Sequence, residues 1–70
     1  MELTNDEKIS ILNQHIKNIV INKYNLQVAI IAEEASNPAD QGKIDVLNAK
    51  IASEQAKYDA LLVELETLQA

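Results

Sequence analysis

The sequence predicts an all-α fold, an antiparallel two-helix hairpin of coiled-coil type, on three observations. Apolar residues recur with heptad spacing through both halves of the chain, and a single interruption, SNPADQG, separates those halves. The 70 residues include one Gly and one Pro, too little turn material for several short strands.

The first helix is expected over about residues 5–36. It opens at TNDE, where Thr4 can cap and Glu7 can reach back to the cap, with Asp6 and Glu7 at the positive end of the helix dipole. One stretch inside it, YNLQVAII, alternates apolar and polar residues as a strand would. The heptad decides against that reading. With Ile9 as position a, the a and d positions hold Ile9, Leu12, Ile16, Ile19, Lys23, Leu26, Ile30 and Glu33, and the pattern outruns the short alternation.

A turn is expected over about residues 36–41, where Asn37 before Pro38 disfavours a continuing helix. Asn37-Pro38-Ala39-Asp40 also reads as a cap, a first-turn Pro and an acid, able to start the next helix at once. Gly42 lies either in that first turn or in a slightly longer loop. The second helix is expected over about residues 41–69, with Ile44, Leu47, Ile51, Glu54, Tyr58, Leu61, Leu65 and Leu68 at a and d.

A short reversal makes the helices antiparallel, and a then meets d across the seam. Centring the reversal between Pro38 and Ala39 pairs Ile9 with Leu68, Ile16 with Leu61, Ile19 with Tyr58 and Leu26 with Ile51. It also brings Lys23 opposite Glu54, the two charges in the middle of otherwise apolar seams, so these residues are expected to form a register-setting pair. The alternative is that both side chains reach out to solvent.

The seam leaves large apolar residues unused: Ile11, Val20, Ile21, Tyr24, Val28, Ile31, Val46, Leu62 and Val63. A lone hairpin has little reason to carry so many on its solvent side, so they are expected to form an oligomer or partner interface. Ala49, Ala52, Ala56 and Ala60 would let a further helix approach closely, although Ala is also simply the best helix former. Two hairpins closing into a four-helix bundle is the simplest assembly, and a homodimer is favoured over trimers or a hairpin docked on another protein. Charge fits an assembly too: residues 8–32 hold Lys8, His15, Lys17 and Lys23 but no acid, while acids crowd the second half.

Composition sets the remaining expectations. A chain of this size has a marginal core, and with no Cys to form a disulfide, association is the expected support. No apolar run approaches a membrane span and the first residues are acidic, so the chain is expected to be soluble and cytoplasmic, without a membrane partner. A net charge of −5 disfavours nucleic acid as a partner. The acid-free polar face in NQHIKN and INKYN keeps a small RNA-binding hairpin dimer as a lesser alternative.

No enzymatic chemistry is expected. His15 is the only His and has no nucleophile suggested near it; it reads as a surface or interface residue, for which Glu64 across the hairpin is a candidate partner. No Glu-x-x-His occurs for a bundle metal site, one Gly cannot build a phosphate loop, and Glu33–Glu34 reads as a solvated helix end. No catalytic residue, metal or cofactor is predicted.

The stretch MELTNDEKISILNQHIKNIVINKYNLQVAIIAEEA resembles the N-terminal half of small uncharacterised helical-hairpin proteins of marine tailed bacteriophages, in which a MELT start leads through an Asn-rich helix to NKYNL. The Ala-rich, acidic second half departs from that pattern. The resemblance implies a phage-encoded protein in the host cytoplasm or virion: a structural or assembly component, or a modulator bound to a host protein. The function expected is therefore non-enzymatic protein–protein interaction, as a homo-oligomeric hairpin scaffold or adaptor or through an exposed apolar face that binds a host protein.

Overall fold

The computed structural model describes residues 2–70, which form two helices, α1 (Asn5–Glu34) and α2 (Gln41–Gln69), packed against each other along their length. The protein is all-α. Its principal extents of 55 × 19 × 14 Å are those of a rod two helices wide and one helix thick.

Thr4 starts α1 through a full capping box. Its hydroxyl accepts from the Glu7 backbone N–H at 3.1 Å, and the Glu7 carboxylate accepts from the Thr4 N–H at 2.9 Å. Thr4, first through its backbone N–H and then through its hydroxyl beside the carboxylate, holds the Glu7 carboxyl below its ordinary pKa, because hydrogen bonds to the carboxylate favour the charged form. The helix ends without a glycine. Ala35 N–H bonds the Ile31 carbonyl, Ser36 N–H bonds that of Glu33, and the Ser36 hydroxyl bonds that of Ala32, so the last turn is satisfied locally.

The start of α2 differs from one expectation. Asp40, not Asn37, is the cap, its carboxylate accepting from the Lys43 N–H at 3.1 Å, and Pro38 lies in the turn instead of the first helical turn. A helix starting at Asn37 would leave too little chain to separate two axes by the roughly 8–10 Å of packed helices. The reversal therefore occupies the residues between Glu34 and Gln41, α1 stops two residues short of its expected end, and Gly42 falls inside the first turn of α2.

The heptad accounts for the packing. Every one of the a and d residues in both helices is buried or half-buried, Lys23, Glu33 and Glu54 included. Ile19 and Ile44 are the most enclosed, each 7% exposed. Ala29, Gln55 and Leu62 alone join them among the remaining described residues. A two-helix seam covers each of its residues from one side only, which is why most of this core stays half-buried.

Candidate functional site: an apolar outer stripe on α1

The hairpin has two unlike faces. On one, Asn22, Asn25 and Leu26 of α1 share a shallow groove with Lys50, Ser53, Glu54 and Lys57 of α2, and His15, Asn18 and Asn22 share the next with Lys57 and Ala60. Lys43, Lys50 and Lys57 recur here every seven residues, which repeats one helix position. His15 lines the second groove, whereas Glu64 lines a groove at the open end with Lys8, Ile11 and Leu12. This face is rich in amides, and its lysines are interleaved with Glu54.

On the other face, Val20, Lys23, Tyr24 and Gln27 of α1 border Tyr58 of α2. The expected Lys23–Glu54 pair does not form. Lys23 Nζ donates to Gln55 Oε1 and stands 5.9 Å from the centre of the Tyr58 ring, within cation–π reach. Gln55 Nε2 in turn donates to Asp59 Oδ1 at 2.9 Å. Glu54 instead meets Lys57 one turn away at 3.2 Å, with 16% of its side chain exposed. The reason is directional: position a of α1 and position d of α2 lie opposite, but the Lys23 stem leaves the seam toward the face of Tyr58 while Glu54 leaves it toward that of Lys57.

The nine apolar residues expected at an interface fall into four groups. Val20, Ile21, Tyr24, Val28 and Ile31 lie on the outer side of α1, between 45% and 66% exposed, and form one continuous stripe by their helical spacing. Val46 and Val63 are exposed on α2 but stand apart from each other. Ile11 belongs to the open end, beside Leu3, which is 50% exposed and which the heptad did not single out because it precedes the Thr4 cap. Leu62 is half-buried, a flank of the hairpin's own seam rather than an outer residue.

The stripe is uncharged. From Asn18 to Ala32 the only charged residue of α1 is Lys23, and it is engaged with α2. The corresponding outer side of α2 interrupts its small residues Ala49, Ala52 and Ala56 with the exposed acids Asp45, Asp59 and Glu66. Among the described residues no group of three His, Asp or Glu side chains is placed to hold a metal, and no helix is long and apolar enough to cross a membrane. Compared with protein-family models, with curated proteins and with solved structures, the chain matches none.

Proposed function

We infer that this hairpin is a non-enzymatic interaction module that associates with further copies of itself and serves as a helical scaffold or adaptor. The observation that supports this reading is the outer stripe of α1. The seam residues are already occupied between α1 and α2, yet Tyr24 and Ile31 leave 64% and 66% of their surface in water on the side away from that seam. At roughly 25 cal/mol per Å² of apolar surface, covering the stripe adds stability to a chain whose own core is half-open. A dimer of hairpins brings four helices together.

Sedimentation equilibrium across micromolar to millimolar protein tests the reading. A discrete oligomer that Ile31→Glu converts to monomer, with helical circular dichroism retained, is the expected result. A wild-type chain that stays monomeric throughout that range overturns it.

A further inference from the structure

The outer stripe of α1 repeats the geometry of a coiled-coil seam. Ile21, Tyr24, Val28, Ile31 and Ala35 follow one another at spacings of three and four, a second heptad phase rotated away from the one used against α2. We propose that this second seam pairs with itself: α1 of one copy packs antiparallel on α1 of another about a two-fold axis opposite Leu26. The proposal rests on the self-association inferred above and specifies the surface and polarity that carry it.

Two arguments select this occupant and this direction. In an antiparallel pair centred on Leu26, Ile21 meets Ile31 of the other copy and Tyr24 meets Val28, so the four large residues of this second heptad find apolar partners, Val20 lies at its flank, and the contact closes on itself. Beside the axis, Asn25 and Gln27 meet their own copies, amide against amide, with no charge brought near its like.

Charge then fixes the direction. Lys17 precedes the stripe and Glu34 follows it, at nearly equal distances from Leu26 and with opposite sign. Antiparallel pairing sets Lys17 of each copy beside Glu34 of the other, twice. Parallel pairing would set Lys17 on Lys17 and Glu34 on Glu34. Pairing with α2 of another copy would instead lay the apolar stripe on Asp45 and Asp59. Four helices then lie in the order α2–α1–α1–α2, two seams of each inner helix being occupied.

The chain contains no Cys, so single cysteines report proximity cleanly. A short bismaleimide should link Gln27→Cys to itself in high yield and leave Ser53→Cys, on the amide-rich face, unlinked. Lys17→Glu alone should weaken dimerisation roughly two- to tenfold, and adding Glu34→Lys to the same chain should restore it. A dimer in which Ser53→Cys links and Gln27→Cys does not, or in which the double charge exchange fails to restore affinity, overturns the α1–α1 arrangement while leaving self-association standing. A chain monomeric at every concentration overturns both.

Discussion

Lys23 on α1 is tied to Gln55 on α2, and Gln55 passes the contact on to Asp59, so that one side-chain amide links an ammonium to a carboxylate across the hairpin. The arrangement carries the ammonium of a mid-seam lysine out to one face, while Glu54 turns to Lys57 on the other. Gln55 is half-buried, and its oxygen and its NH2 group are both used.

Removing either partner should therefore cost stability through the other. Lys23→Met and Gln55→Leu, combined in a double-mutant cycle followed by urea denaturation, should show a coupling of about 0.5–1.5 kcal/mol. The same cycle built on Lys23→Met and Glu54→Leu should give a coupling near zero. A larger coupling to Glu54 would show that the acid, not the amide, is the working partner.

The core is concentrated in few residues. Ile19→Ala and Ile44→Ala should each destabilise the hairpin by about 2–4 kcal/mol, read as a fall in the denaturation midpoint or outright loss of helical signal. Ile11→Ala, at a position 48% exposed on the open end, should shift that midpoint far less. Equal effects at the three positions would mean that the seam described here is not the one that holds the fold.

At the reversal, Asp40→Ala should destabilise by about 1 kcal/mol through loss of the bond to the Lys43 N–H, whereas Asn37→Ala should be nearly neutral. The opposite ranking would move the start of α2 back to the Asn-Pro pair.

Glu7 makes the first turn of α1 sensitive to acid. Its carboxyl is held below its ordinary pKa by the bonds from Thr4, so its contribution is fully present above about pH 4.3, the range in which the unfolded chain titrates, and is lost as pH falls through the lowered folded value. Glu7→Gln, which removes the titrating group while a change of the Thr4 side chain would leave the leading backbone bond in place, should flatten that part of the stability–pH curve. If the curve between neutral and acid pH is the same with and without Glu7→Gln, the capping box contributes nothing to acid sensitivity.

Much of this architecture was legible in the residues because a heptad carries its own geometry. Ile9 through Glu33 and Ile44 through Leu68 name the buried side of each helix without reference to anything distant in the chain, and the TNDE cap is complete within four residues. What the pattern did not convey was side-chain direction. Lys23 and Glu54 are correctly placed as seam residues, but a long flexible stem leaves the seam on whichever side offers it a partner, and that partner, Gln55, looks like an unremarked polar residue in the sequence. The Asp40 cap was obscured for a related reason: Asn37 and Asp40 are equally good caps, and only the room needed to turn the chain separates them. The outer stripe was readable as surplus apolar residues. Its division into one continuous run on α1 and isolated Val46 and Val63 on α2 emerges only when both helices are seen wound together.

The antiparallel arrangement of α1 and α2 also has a mechanical consequence. The start of α1 and the end of α2 lie at the same pole of the rod, so a force applied between them loads the seam one layer at a time, beginning at Ile9 and Leu68 and travelling toward the turn. Such unzipping needs little force at any instant. Pulling between the turn and the open end would instead shear all layers together, and the same hairpin should resist far more.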